Sequence, residues 1–144
     1  MKTSLEALNR VLGGRSLLGQ TARDDADLIA LVRDGLPYAS FEHALMELEL
    51  TLEEVASQLG LQRRTLSRRK GQRLNHEESE RVLRLLRVVL RADEVLGSRD
   101  KAFQWLRRPN RVLGGQQPLS LLDVELGARQ VEDVLGRIEH GVYS

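Results

Sequence analysis

The fold is decided by residues 51–70, which read TLEEVASQLGLQRRTLSRRK. Thr51 and the glutamate three residues later have the spacing of a capping box, so we expect a helix to begin there. Gly60 would end that helix, because a glycine supplies the left-handed conformation of a sharp turn. Ala56 is small enough for a second helix to cross closely, and we expect that short basic helix over 62–70. The stretch therefore predicts a helix-turn-helix.

The outer face of the second helix is the candidate reader of DNA. At 100° per residue, Arg64 and Arg68 project opposite its buried leucine, where each could donate two hydrogen bonds to a guanine. The predicted DNA-binding residues, which include flanking phosphate contacts, are Gln62, Arg63, Arg64, Thr65, Ser67, Arg68, Arg69, Lys70 and Arg73. The alternative is a plain helical hairpin with a basic, solvated face. Arg69 departs from the motif, which is usually apolar there, and we expect its head group in water.

Charge is unevenly distributed along the chain. The formal net charge is +1, which argues against a general polyanion binder. Residues 42–54 contain five glutamates and no lysine or arginine, whereas residues 63–73 contain six basic residues and no acid. The basic segment is dense enough for the phosphate contacts of a small DNA reader.

The sequence around the motif predicts an all-α protein, since apolar residues recur at helical spacing and no segment alternates with period two. Besides a helix capped by Ser40, helices are expected at 27–33, 52–59, 62–70, 77–96, 101–106, 120–126 and 128–140. The breaker Gly35-Leu36-Pro37 would end the first of these. Asn75 would cap the longest, and Ser120 with Asp123 would cap the helix at 120–126.

The long helix at 77–96 divides the chain into a helix-turn-helix domain, residues 1–93, and a small helical C-terminal domain, residues 94–144. Residues 1–33 carry little of the functional signal, and the sequence predicts only a structural role for them. One face of the long helix carries an apolar stripe, formed by Val82, Leu85, Leu86 and Val89. A homodimer is expected, because helix-turn-helix proteins usually read two half-sites about 34 Å apart. The stripe could form its interface, or it could pack against the chain's own helices.

No pattern in the sequence indicates catalysis, a cofactor or a metal site. The three histidines are isolated, and the chain has no cysteine and therefore no disulfide. Residues 1–19 are interrupted by Glu6, Arg10 and Arg15, so they form neither a signal-peptide core nor a membrane span. We expect a non-enzymatic cytoplasmic protein without membrane contact.

The C-terminal third carries a fixed order of short motifs. They are Ala102-x-x-Trp105-Leu106, Pro109-Asn110, Leu113-Gly114-Gly115, Pro118-Leu119 and Leu121-Leu122. Taken singly, such residues are ordinary core and turn chemistry. In this order they closely resemble the toxin-binding domain of the Xre/MbcA/ParS antitoxins, and the resemblance extends over about residues 34–144. One departure is Val124, where that family often has threonine.

The resemblance implies one half of a type II toxin-antitoxin pair. The partner would be a RES-type toxin with an ADP-ribosyltransferase-like fold that either consumes NAD or uses NAD to modify another molecule. The C-terminal domain would cover the entrance to the toxin's active site, with the chain's end as the plug. The implied toxin-binding residues are Arg137, His140, Gly141, Val142, Tyr143 and Ser144. The rival hypothesis is a stand-alone repressor whose C-terminal third binds a small ligand or only dimerises; an apolar pocket with polar lining would favour it.

Overall fold

The computed structural model describes residues 2–141, with side chains from Leu5 onward. This part of the chain is built from α-helices joined by short turns and contains no strand, which confirms the predicted all-α class. The α-helices are α1 Lys2–Val11, α2 Gly14–Leu18, α3 Asp25–Asp34, α4 Tyr38–Leu48, α5 Leu52–Leu59, α6 Arg63–Ser67, α7 His76–Leu96, α8 Arg99–Leu106 and α9 Glu125–Glu139. Two 3₁₀ helices, Arg111–Leu113 and Pro118–Leu121, lie between α8 and α9. None of the helices described is long and apolar enough to cross a membrane.

Helix α7 is the axis of the molecule. Its 21 residues span about 30 Å, and α1, α3, α5, α8 and α9 all pack against it. The predicted apolar stripe at 82–89 is completely covered, since each of its four residues is at most 1% exposed. These residues belong to one continuous core that runs from Leu8 in α1 to Leu135 in α9. The stripe therefore packs against the chain's own helices and is not open to a second copy.

The start of α7 is fixed by a reciprocal capping box, and its N-cap is Asn75, as the sequence predicted. The Asn75 side chain accepts a hydrogen bond from the Glu78 backbone at 2.7 Å, and the Glu78 carboxylate accepts one from the Asn75 backbone at 2.8 Å. Two of the otherwise unpaired amides at the helix N-terminus are satisfied in this way.

The predicted breaker between α3 and α4 forms a short antiparallel bridge with the segment after α6. Tyr38 donates from its backbone to Gln72 at 2.9 Å, and Leu74 donates to Leu36 at 2.8 Å. Gly35 has φ +92°, and a Cβ placed on it would lie 2.1 Å from the Leu74 carbonyl oxygen. Glycine is therefore required here both by conformation and by space.

The predicted cap at Ser40 is wrong. Helix α4 begins at Tyr38 with Pro37 at its N-cap position, three residues before the predicted cap, and the bridge to residue 72 holds the chain at this start. Ser40 consequently lies inside the first turn and is fully buried. Its hydroxyl has no hydrogen-bond partner within the described residues.

The predicted helices at 120–126 and 128–140 are also wrong in their bounds. Residues 118–121 form a 3₁₀ helix, and α9 is one helix that passes through Gly127 without a break. Its N-cap is Val124, and Ser120 donates its hydroxyl to the Gln117 carbonyl at 2.7 Å instead of capping α9. Gly127 is a close-contact residue, since a Cβ there would lie 2.0 Å from the Leu121 carbonyl oxygen.

Candidate DNA-reading and partner-binding surfaces

The helix-turn-helix consists of α5, a turn at Gly60 and α6. Gly60 has φ +66°, and the Leu61 backbone donates to the Ala56 carbonyl at 2.9 Å, which closes the end of α5. Arg81 of α7 adds hydrogen bonds to the carbonyls of Leu59 at 3.0 Å and Gly60 at 3.3 Å. The turn is thus held from within and from the long helix behind it.

Helix α6 is shorter than predicted, ending at Ser67, and residues 68–71 continue as turns. Leu66 is fully buried, which leaves the opposite side of the helix outward, as expected. The exposed candidates are Gln62, Arg63, Arg64, Ser67, Arg68, Lys70 and Arg73. Thr65 is half-buried, and its hydroxyl lies 3.5 Å from the Gln62 side-chain oxygen. Within the described part of the chain, no ion pair involves Arg63, Arg64, Arg68 or Lys70, so their charges face solvent.

Arg69 and Arg73 occupy different environments from the other basic residues. Arg69 forms a two-pronged pair with the buried Glu78, with Nε–Oε1 at 3.0 Å and Nη2–Oε2 at 3.2 Å. Its head group is therefore paired at the base of α7 and not extended into water as the sequence had suggested. Arg73 donates from Nη1 to the Gly35 carbonyl at 2.7 Å. Both side chains fasten α6 and the following segment to the rest of the molecule.

The predicted partner-binding residues lie at the C-terminal end of α9. Arg137 and His140 are exposed, and Gly141 follows with φ +75°. Beside them, Arg91 of α7 donates from Nη1 to Glu139 at 3.0 Å. This hydrogen bond holds the pKa of Glu139 below its ordinary value. Val142, Tyr143 and Ser144 lie outside the described residues.

Comparison with known proteins divides the chain into two matched segments. Residues 27–87 match the Antitoxin Xre-like helix-turn-helix domain, and residues 91–141 match the Antitoxin Xre/MbcA/ParS C-terminal toxin-binding domain. Antitoxin Xre of Photorhabdus laumondii subsp. laumondii is 38% identical over 121 residues, which cover 81% of each chain. The chain belongs to the Xre antitoxin family.

Two further relatives are similar to this Xre-family chain. Antitoxin Xre of Yersinia enterocolitica is 42% identical over 94 residues, covering 63% of this chain and 64% of the relative. The Prs ADP-ribosylating antitoxin of a Sphingobium species is 26% identical over 129 residues, covering 82% and 81% of the two chains.

The two matched segments of this Xre-family antitoxin are joined by α7. The turn after the candidate recognition helix α6 is attached near one end of α7 by the Arg69–Glu78 pair, and the end of α9 is attached near the other by the Arg91–Glu139 pair. Thirteen residues of helix separate these attachment points, which corresponds to about 20 Å. The candidate DNA-reading helix and the candidate toxin-binding residues are therefore attached near opposite ends of α7.

Beside α7, the antitoxin has a groove of about 550 Å³ that lies between α3, α7 and α9. Its apolar lining comes from Leu28, Ile29, Val32 and Leu83. Charged residues of both signs surround this lining: Asp25, Arg33, Glu80, Arg84, Arg87, Glu125 and Glu132. Burial raises the pKa of Glu132. Sequence reasoning did not find this groove, because residues from three distant segments meet there.

Proposed function

We propose that this chain neutralises a RES-type, NAD-consuming toxin by covering its active site, and that it represses its own operon as a homodimer through α5 and α6. The main support is the toxin-binding family match over residues 91–141, together with the exposed end of α9. The name of one relative includes an ADP-ribosylating activity, and ADP-ribosylation is NAD chemistry. The antitoxin acts by binding and not by catalysis, in the cytoplasm where its operator lies.

The DNA-reading half of the proposal assigns sequence readout to Arg64 and Arg68. Replacing both with alanine is expected to weaken operator binding by about 30-fold or more, because each bidentate contact to guanine contributes about 1–3 kcal/mol of discrimination. Binding would be measured by fluorescence anisotropy on the promoter of the chain's own operon. The helix should remain intact, since both side chains are exposed and the anchoring Arg69–Glu78 pair is untouched.

Arg15→Ala is the matched control, because Arg15 is an exposed arginine on α2 outside the helix-turn-helix. It should change operator affinity little. If the Arg64→Ala/Arg68→Ala chain, folded by circular dichroism, binds the operator as tightly as the control, α6 is not the reading helix.

The toxin-binding half of the proposal assigns the plug to the end of the chain. A short segment that leaves a capped helix loses little entropy on ordering and can enter a pocket. Deleting residues 141–144 is expected to weaken inhibition of the toxin's NAD turnover, with operator binding unchanged.

Arg137→Ala should also weaken this inhibition. Arg129→Ala is the control on the same helix, since its ion pair with Glu125 is exposed and contributes little to stability. Full inhibition by the truncated chain would refute the plug.

The rival function, a repressor controlled by a small ligand, is favoured by the groove between α3, α7 and α9. That groove is open and lies outside both the recognition helix and the end of α9. The toxin-binding family match supports the antitoxin over this rival. A neighbouring reading frame that encodes a RES-type protein, and co-purification of the two products, would separate the hypotheses.

A further inference from the structure

Helix α3 presents an apolar stripe that the chain itself does not cover. Ala26, Ile29 and Ala30 are all exposed, and half of the Ile29 surface is accessible to solvent. At 100° per residue these side chains share one outward face of the helix. The opposite face, with Leu28 and Leu31, is buried against α7. The two alanines make this stripe flat enough for another helix to approach closely.

Two opposite charges lie at equal distances from Ile29 along the helix. Asp25 and Arg33 each lie four residues from Ile29, or about 6 Å along the axis in opposite directions, and on the same face. Neither side chain has an ion-pair or hydrogen-bond partner anywhere in residues 2–141. Arg23 and Asp27, by contrast, pair with each other at 3.1 Å on the neighbouring side of the helix.

This arrangement is self-complementary. If a second α3 lies antiparallel to the first with the two Ile29 residues in register, each Asp25 falls opposite the other copy's Arg33. An interface with two-fold symmetry requires such a patch, because both copies contribute the same surface. The groove beside Ile29 extends the apolar area, since Ile29 lines its edge.

We propose that α3 pairs antiparallel with α3 of a second copy of this chain, with Ile29 at the two-fold axis and two Asp25–Arg33 ion pairs around it. This inference rests on the proposed function in one respect, because a protein that reads two DNA half-sites needs two copies. It adds which surface joins those copies. The apolar stripe of α7 cannot serve, because it is buried in the core.

The test is sedimentation equilibrium of the full chain, without toxin or DNA. Ile29→Lys is expected to weaken self-association by about 100-fold or more, because both isoleucines at the axis are lost together. Met46→Lys is the matched control: Met46 is 75% exposed on α4, away from the patch, and its replacement should leave the dimer unchanged.

Charge reversal provides a readout that a general loss of stability would not give. Asp25→Arg and Arg33→Asp should each weaken the dimer, and the double variant should restore most of it, because the pairs re-form with opposite sign. Absence of rescue, a monomeric wild-type chain at 100 µM or an Ile29→Lys chain that dimerises like the control would overturn the interface.

The same variants separate this interface from the proposed function and from another occupant. Monomeric Ile29→Lys should still inhibit the toxin, because the end of α9 is intact. If Ile29→Lys dimerises normally but binds the toxin weakly, the α3 face contacts the toxin and the self-association proposal is wrong. If Ile29→Lys loses the dimer as expected but the wild-type chain does not inhibit the toxin, the interface stands and the antitoxin proposal fails.

Discussion

Val124 occupies the N-cap position of α9 but has no side-chain acceptor for the helix's first amides. Its backbone is already extended, with φ −129° and ψ 150°, as an N-cap requires, and about half of its surface is exposed. Threonine has the same shape and adds the hydroxyl that the family pattern often contains. The missing hydrogen bond noted in the sequence is therefore located at the start of the helix that ends at the candidate plug.

Val124→Thr is accordingly expected to stabilise the protein by about 0.5–1 kcal/mol, through a hydrogen bond from a first-turn amide to the new hydroxyl. The free energy of unfolding would be measured by urea denaturation. Val124→Ala is the control, because it removes the branched side chain without adding an acceptor. A threonine variant no more stable than the alanine variant would show that the cap does not form.

Single residues also mark the limit of prediction within the candidate site. Arg64 and Arg68 could be placed on the outer face from helix geometry, because Leu66 between them fixes the inner side. Its basic side chain placed Arg69 among the predicted DNA-binding residues, although Arg69 forms an ion pair with Glu78. Sequence distance hides that partner, because the two residues meet only after the chain turns between α6 and α7. The only local signal was the departure of Arg69 from the usual apolar position.

At the scale of elements, prediction succeeded where a helix has a local start and stop signal. The signals Thr51 with Gly60, and Asn75 with the acids after it, predicted α5 and α7 to within a residue or two. It failed where a tertiary contact sets the boundary. Helix α4 starts early because residues 36–38 bridge to 72–74, and that bridge has no signature in either segment alone.

A repeated hexapeptide makes the same point. Asn-Arg-Val-Leu-Gly-Gly occurs at 9–14 and at 110–115. In the first copy it forms the end of α1, and Asn9 donates its side-chain amide to the distant Ala22 carbonyl at 2.8 Å. In the second it forms a 3₁₀ helix capped by Asn110. The glycine pairs have positive φ in both copies, so only the turn is encoded locally.

The two glycines of α9 yield a prediction because they differ in surroundings. Gly127 faces the Leu121 carbonyl, which a Cβ would approach to 2.0 Å, whereas a Cβ on Gly136 would meet nothing within 4 Å. Gly127→Ala is expected to destabilise the fold by about 1–3 kcal/mol through overpacking against backbone. Gly136→Ala should instead stabilise it by about 0.5–1 kcal/mol, because alanine is the better helix former.

Both changes would be measured by thermal and urea unfolding. The opposite signs make each variant the control for the other, since both add one methyl group to the same helix. If Gly127→Ala proves as stable as Gly136→Ala, the contact between α9 and the preceding 3₁₀ helix is not tight.

At the scale of the molecule, the boundary expected between residues 93 and 94 falls near the end of α7, although the core continues across it. Residues of α7 that pack against α3 and α1 belong to the same buried cluster as those that pack against α8 and α9. Arg107 of the C-terminal segment also pairs with Glu54 at the start of α5, at 2.8 Å. The sequence patterns indicate two functional halves, but they do not show that the two halves share one hydrophobic core.

A shared core predicts that both halves unfold together. Trp105, the only tryptophan, lies in α8 and packs against the core, so its fluorescence reports on the C-terminal half. Leu31 is 1% exposed in α3, which packs against α7 within the helix-turn-helix segment. Leu31→Ala should cost about 2–5 kcal/mol and shift the Trp105 transition as far as the circular dichroism transition, at a fixed chain concentration. The exposed Met46→Ala should shift neither. A Trp105 midpoint that stays in place while the dichroism midpoint falls would mean that the toxin-binding half folds on its own.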